Sequence, residues 1–158
     1  MGEDVLSGSG CEVWFYHLES TGLDQALPEL LQKTLQRGWR ALVRTPDPAR
    51  VEHLDGWLWS FRDDVFLGHG TAEEPFAERQ PVLLTTGEEN ANAAQAVFLL
   101  DDAEPGALEG FERCLVLFDG RDETALAAAR KRWSELKGRD LPVSYWRQSA
   151  EGRWEKQA

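Results

Sequence analysis

One segment of the chain has the residue types that could bind an acidic ligand. Residues 124–139 contain a single acid, Glu135, and five bases: Arg130, Lys131, Arg132, Lys137 and Arg139. Offsets of 4, 7 and 11 along a helix place four residues on one stripe: Leu126, Arg130, Trp133 and Lys137. Cations bind carboxylates and an indole ring provides an apolar wall, so this stripe suits an acidic peptide with a hydrophobic end. The alternative is a solvated helix face with Trp133 in the core and cations extending past it or favouring the helix C-terminus.

A second cluster of aromatic residues lies earlier in the chain. The segment Leu54-Asp55-Gly56-Trp57-Leu58-Trp59 is followed by Phe66 and His69. These aromatics exceed what a short helix needs for its core, and a surplus of tryptophan often marks a contact surface. We therefore predict a second protein-binding face, with at least one of Trp59 and Phe66 substantially exposed and Trp57 packed inward. Simple burial of one of the two tryptophans is the alternative.

The chain contains only weak candidates for catalytic or metal-binding residues. The three histidines (His17, His53 and His69) have no metal-ligand spacing, and a lone histidine such as His17 is more often structural. The paired acids Asp63-Asp64 and Asp101-Asp102 lack the ligand count of a cation cage. No G-x-x-x-x-G-K-[ST] loop or G-x-S-x-G elbow occurs, and the turn at 86–90 carries two acids where phosphates would bind. We predict no catalytic residue, metal or cofactor. One rival hypothesis is a nucleotide-dependent hydrolase or transferase with a degenerate site. A second rival hypothesis is a purely structural partner of another assembly.

Charge and composition limit the partners. The 158 residues have a formal net charge of −11, and residues 63–109 hold eleven acids against one base, Arg79. Such a protein is repelled by phosphate backbones, so tight direct binding to nucleic acid is not expected. Cys11 and Cys114 each lie in an apolar run, which predicts buried reduced thiols and a cytoplasmic protein. Residues 1–10 lack the pattern of a signal peptide and are predicted to be a flexible tail, and no apolar run reaches the roughly 20 residues of a membrane span.

The elements that position these residues follow an α/β pattern over residues 11–158. Short apolar runs alternate with helical stretches, which is typical of a layered α/β domain. The predicted strands cover residues 12–18, 39–44, 81–86, 95–100 and 113–118. The predicted helices cover 24–37, 48–59 and 124–138, residues 62–80 are predicted to be a long loop, and 143–147 with 153–156 are predicted to form a terminal hairpin.

Several short motifs, taken in order, resemble one known family. They are Phe15-Tyr16-His17-Leu18, the 54–59 segment, Phe66-Leu67-Gly68-His69, Pro81-Val82, Leu117-Phe118 and the 128–133 segment. Over about residues 12–146 this order resembles the chi subunit of DNA polymerase III. The resemblance implies a single three-layer α/β domain with a largely parallel central sheet, similar to nucleotide-binding (Rossmann-like) folds but without a nucleotide site.

The resemblance also implies a function and site residues. The family links the clamp loader to the single-stranded DNA-binding protein by binding the acidic, phenylalanine-ended tail of that protein. By position, the tail site would comprise Phe118, Arg130, Trp133 and Lys137, with Ser134 where the family often has lysine. Trp59, Phe66 and His69 would form a second face for the psi subunit of the clamp loader or for a helicase.

Overall fold

The described residues form one sheet flanked by helices. A computed structural model describes residues 10–60 and 68–158. Its eight strands follow the spatial order β3-β4-β2-β5-β6-β1-β7-β8. In chain order the strands are β1 (Glu12–Leu18), β2 (Ala41–Arg44), β3 (His69–Thr71), β4 (Val82–Thr85), β5 (Ala96–Leu99), β6 (Arg113–Asp119), β7 (Val143–Gln148) and β8 (Trp154–Lys156). The helices are α1 (Leu23–Gln36), α2 (Pro48–Ser60) and α3 (Glu123–Lys137).

The fold has three layers with the sheet in the middle. Neighbouring strands from β3 to β7 are parallel, and β7 and β8 form an antiparallel hairpin. Leucines of α1 and α2, such as Leu31 and Leu54, pack on one face of the sheet with Tyr16. On the other face, Leu136 of α3 packs with Phe15. The predicted fold class is therefore confirmed, including the C-terminal hairpin.

Local sequence explains where α1 and α3 begin or end. The carboxylate of Asp122 accepts hydrogen bonds from the backbone N–H groups of Thr124 (2.9 Å) and Ala125 (3.4 Å), an N-cap that typically contributes about 1 kcal/mol. Gly38 follows the C-terminal end of α1. It adopts φ +87°, and its N–H donates to the carbonyl of Leu35. That left-handed conformation favours glycine and stops the helix. The predicted helices at 24–37 and 124–138 thus agree with the structure to within a residue.

Tryptophans also pack against one another at one end of the sheet. The Trp14 and Trp146 rings stack 5.3 Å apart, and Tyr16 contacts Trp154 edge-on at 4.7 Å. The guanidinium of Arg113 lies 3.9 Å from the centre of the Trp14 ring, a cation–π contact. Part of the tryptophan surplus therefore serves packing on the face that carries α1 and α2.

The segment predicted as a loop at 62–80 differs in its described part. Residues 69–71 form the edge strand β3, paired with β4, and Ala77–Arg79 form a 3₁₀ turn. Three residues are too few to show an alternating pattern, so the strand depends on the partner that it pairs with. Gly70 fits there because a Cβ would lie 3.0 Å from the side chain of Gln80.

Both cysteines are free and buried, as predicted, and burial raises the pKa of the Cys11 thiol to about 12. The predicted flexible tail falls, except for Gly10, outside the described residues and stays a prediction. Within the described ranges, the helices are too short or too polar to cross a bilayer.

Candidate protein-binding site

Aromatic side chains meet between α3 and the sheet. The half-buried Trp133 ring packs edge-on against Phe15 at 5.4 Å and against Tyr145 at 5.6 Å between ring centres. Tyr145 in turn contacts Phe118 at 6.2 Å and His17 at 5.8 Å. We call these five residues the aromatic cluster. It unites two of the predicted site residues, Phe118 and Trp133, with three that the sequence had not suggested for this site.

Strand register explains why the aromatic cluster forms. In the order β6-β1-β7, Phe15 lies opposite Tyr145, and His17 lies opposite both Phe118 and Arg147. Residues paired in this way point to the same face of a sheet. Phe15 and Tyr145 belong to the face that α3 covers, so Trp133 closes over them from the helix. Phe118 is buried and supports the cluster from within the sheet.

The predicted basic segment divides into two groups. Arg132 is buried and donates to Asp102 Oδ1 at 2.9 Å and to Glu135 Oε1 at 2.7 Å. Arg139 also donates to Glu135, at 2.9 Å. Both cations therefore already have a carboxylate partner within the chain, and Arg132 is buried as well.

The other three cations of the segment lie on the surface. Arg130, Lys131 and Lys137 are exposed, and none has a carboxylate within ion-pair distance in the described parts of the chain. The Lys137 ammonium lies 5.4 Å from the centre of the Trp133 ring. Ser134, next to Trp133, is exposed as well. The predicted stripe of Arg130, Trp133 and Lys137 is therefore present, with its ring half-buried and its charges on the surface.

The second predicted face lies on the opposite side of the sheet, at the end of α2. Trp59 is 55% exposed, and its ring lies 4.4 Å from that of the buried His69. Trp57 is half-buried, and its indole N–H donates to the carbonyl of Asp24 at 2.6 Å. Trp59 meets the prediction that at least one of the two aromatics is exposed, and Trp57 packs inward as predicted. Phe66 lies outside the described residues.

Histidines of the described chain have structural partners. Nδ1 of His17 lies 2.5 Å from the Tyr145 hydroxyl, and Nε2 lies 3.0 Å from Glu19 Oε2. Burial lowers the pKa of His17, although Glu19 opposes that shift. Nε2 of His69 lies 2.9 Å from the carbonyl of Asp55. Within residues 10–60 and 68–158, no three His, Cys, Asp or Glu side chains are grouped to hold a metal ion.

A crevice occupies the position where doubly wound folds bind nucleotides. From β1 the chain crosses one face through α1, and from the adjacent β6 it crosses the other face through α3. At such a switch point the carboxyl ends of the strands leave a crevice. Here it measures about 630 Å³ and is lined by five aspartates, Asp24, Asp101, Asp102, Asp119 and Asp122. Its lining includes one base, Arg50, which is bound to Asp101, so the crevice repels phosphate.

The loop after β1 is also closed to phosphate. The backbone N–H groups of Glu19, Ser20 and Thr21 all donate to Oε1 of Gln148, at 3.0, 2.9 and 3.0 Å. Successive N–H groups in such a loop form an anion site in nucleotide-binding folds. In this chain, an amide oxygen from β7 fills that site. Nothing in the sequence had marked Gln148, because its role depends on the end of β7 meeting a loop 127 residues earlier.

Comparison with known proteins gives consistent results. The family model described as DNA polymerase III chi subunit, HolC, matches residues 11–144. DNA polymerase III subunit chi of Pseudomonas aeruginosa is 34% identical over 89 residues, which cover 56% of this chain and 61% of that protein. The probable DNA polymerase III subunit chi of Rickettsia prowazekii is 21% identical over 148 residues, covering 89% of this chain and 88% of that protein. The chain thus spans less than two thirds of the Pseudomonas protein in that match.

Proposed function

Because the chain belongs to the DNA polymerase III chi subunit family, we propose that it is an adaptor of the replication machinery. In this proposal it links the clamp loader to the single-stranded DNA-binding protein by binding the acidic, phenylalanine-ended tail of that protein. The chain itself acts through binding and carries out no catalysis. It works in the cytoplasm, beside the polymerase.

The observation that supports tail binding is the surface of α3. Arg130 and Lys137 flank a half-buried indole and have no carboxylate partner in the described chain. Ligand carboxylates could therefore bind these cations without first breaking an internal ion pair. The terminal aromatic ring of the tail would pack against Trp133, which Phe15 and Tyr145 already hold in place. Serine at 134 leaves one cation fewer than the family resemblance implies.

The exposed Trp59 supports a second contact. A tryptophan that is half exposed at a helix end offers a large apolar surface to a partner. We propose that Trp59, whose ring packs against His69, contacts the psi subunit or a helicase together with Phe66. Because α2 and α3 lie on opposite faces of the sheet, both partners could bind together.

The tail proposal is tested by titrating a peptide that ends in Asp-Asp-Ile-Pro-Phe into the protein in a calorimeter. We expect a micromolar dissociation constant, which corresponds to a binding free energy of about −7 to −8 kcal/mol. Raising the salt from about 0.05 to 0.5 M should weaken binding several-fold, because surface ion pairs are screened. Arg130→Ala should weaken it about tenfold, whereas Lys156→Ala, on the other face of the sheet, should not. Equal affinities for wild type and Arg130→Ala would refute the assignment.

A further inference from the structure

Another cation faces the aromatic cluster from the β7 side. We propose that Arg147 is a second carboxylate-binding residue of the tail site and that Glu19 is a built-in competitor for it. This inference rests on the proposed function and extends it to a residue of β7. Arg147 lies beyond the segment that matches the family model, which ends at residue 144.

Strand register places Arg147 on the correct face. Arg147 pairs with His17 across β1 and β7, two residues along from the pair Phe15 and Tyr145. Alternate residues of a strand share a face, so Arg147 and Tyr145 both point to the side that α3 covers. Trp146, between them, packs with the opposite face. The cations Arg130 and Arg147 therefore approach the aromatic cluster from two different elements.

Tyr145 is near both of these cations. Burial raises the pKa of the Tyr145 hydroxyl, and the positive charges of Arg147 and Arg130 both act in the opposite direction. Both guanidinium groups are thus close enough to influence the same hydroxyl. That hydroxyl is fixed by its 2.5 Å contact with His17 Nδ1. A ligand that packs on the aromatic cluster could therefore place one carboxylate near Arg130 and another near Arg147.

In the structure, Arg147 forms an ion pair with Glu19. Nε and Nη2 of Arg147 donate to Oε2 of Glu19 at 3.0 and 2.6 Å. The pair is open to solvent, with side chains that are 52% and 33% exposed. Exposed ion pairs contribute little to stability, so a carboxylate from a ligand could replace Glu19 at small cost. Glu155 is the cross-strand neighbour of Arg147 on β8 and is a second acid close to it.

The ligand that fits this arrangement is an acidic peptide with an aromatic end and at least two carboxylates. Its ring would pack on Trp133, one carboxylate would bind Arg130, and a second would displace Glu19 from Arg147. The exchange replaces one charge-assisted hydrogen-bonded pair by another, so Glu19 lowers the net affinity without blocking the site. Removing Glu19 should consequently strengthen binding, which is the opposite of what loss of a contact residue would do.

The test is a double-mutant cycle with the Asp-Asp-Ile-Pro-Phe peptide. Arg147→Gln should weaken binding about 3- to 10-fold, and Glu19→Gln should strengthen it about 2- to 5-fold. In the Arg147→Gln background, Glu19→Gln should strengthen binding much less, because the competition is gone and only the loss of one negative charge remains. Lys156→Gln is the matched control: Lys156 is on the same hairpin but pairs with Trp146 on the other face of the sheet. It should leave affinity unchanged.

The outcomes separate this inference from the proposed function. If Arg130→Ala weakens binding but Arg147→Gln does not, the tail site stands and the role of Arg147 is rejected. Weaker binding by Glu19→Gln would overturn the competitor role. Failure of the wild-type protein to bind the peptide would remove both. If thermal melting shows that Arg147→Gln is poorly folded, Arg147→Lys keeps the charge but loses the forked geometry, and its affinity should fall between those of the wild type and of a neutral variant.

Discussion

The surface of α3 and the switch-point crevice beside it use their charges in opposite ways. In the crevice, Asp101 is bound by Arg50, Asp102 by Arg132 and Asp119 by Arg121, while Asp122 caps α3. On α3, Arg130 and Lys137 have no such partner within the described residues. Charges that are paired inside the chain stabilise loops and helix ends, whereas unpaired charges beside an indole remain available for a ligand. The crevice thus pairs most of its acids within the chain, whereas α3 presents Arg130 and Lys137 to solvent.

The largest expected effect is on ligand affinity at the centre of the α3 surface. Trp133→Ala should weaken binding of the acidic peptide about 30-fold or more, because central indoles dominate such contacts. Calorimetric titration measures this. Trp133→Phe, which keeps an aromatic ring, should lose only part of the affinity. Similar affinities for the alanine variant and the wild type would show that the peptide binds elsewhere.

A difference between neighbouring arginines should appear in stability. Arg132→Ala should lower the free energy of unfolding by about 1–3 kcal/mol, since it removes buried hydrogen bonds to Asp102 and Glu135. This loss of stability is smaller than for a fully buried ion pair because both carboxylates are partly exposed to solvent. Arg130→Ala should change stability by less than about 0.5 kcal/mol. Urea unfolding of both variants checks the comparison, and equal losses would contradict the division between paired and unpaired cations.

The second face should tolerate truncation. Trp59→Ala should cost less than about 1 kcal/mol of stability, because more than half of the residue is already exposed to solvent. The acidic-peptide affinity should not change, since sites on opposite faces act independently. Trp57→Ala, which loses the bond to Asp24, should destabilise more. A Trp59→Ala protein that melts well below Trp57→Ala would exclude an exposed, partner-binding role for Trp59.

The smallest expected effect is in the crevice. Nucleotides should not raise the melting temperature at any concentration. Aspartates line the crevice, and the side-chain oxygen of Gln148 already accepts the hydrogen bonds of the N–H groups after β1. A thermal-shift titration with ATP and GTP measures this. A concentration-dependent rise would revive the hypothesis of a nucleotide-dependent enzyme.

Sequence patterns predicted the parts of the fold that depend on local periodicity. β1 agrees at both ends, and α3 is displaced by one residue, because long apolar runs and helical stripes carry their own signal. β3 was missed because its three residues become a strand only beside β4. Within the site, the sequence could not separate Arg130 from Arg132. Their difference depends on Asp102, which the fold brings next to α3 from 30 positions earlier in the chain.

The most direct test of the account is recruitment to DNA, measured by fluorescence anisotropy of a labelled single strand at physiological salt. Alone, a protein of net charge −11 should bind the strand only in the high-micromolar range or more weakly. On a strand already coated with the single-stranded DNA-binding protein, it should bind with micromolar affinity, and deletion of the acidic tail of that protein should abolish recruitment. Tight binding to bare DNA, or recruitment that survives loss of the tail, would contradict the account.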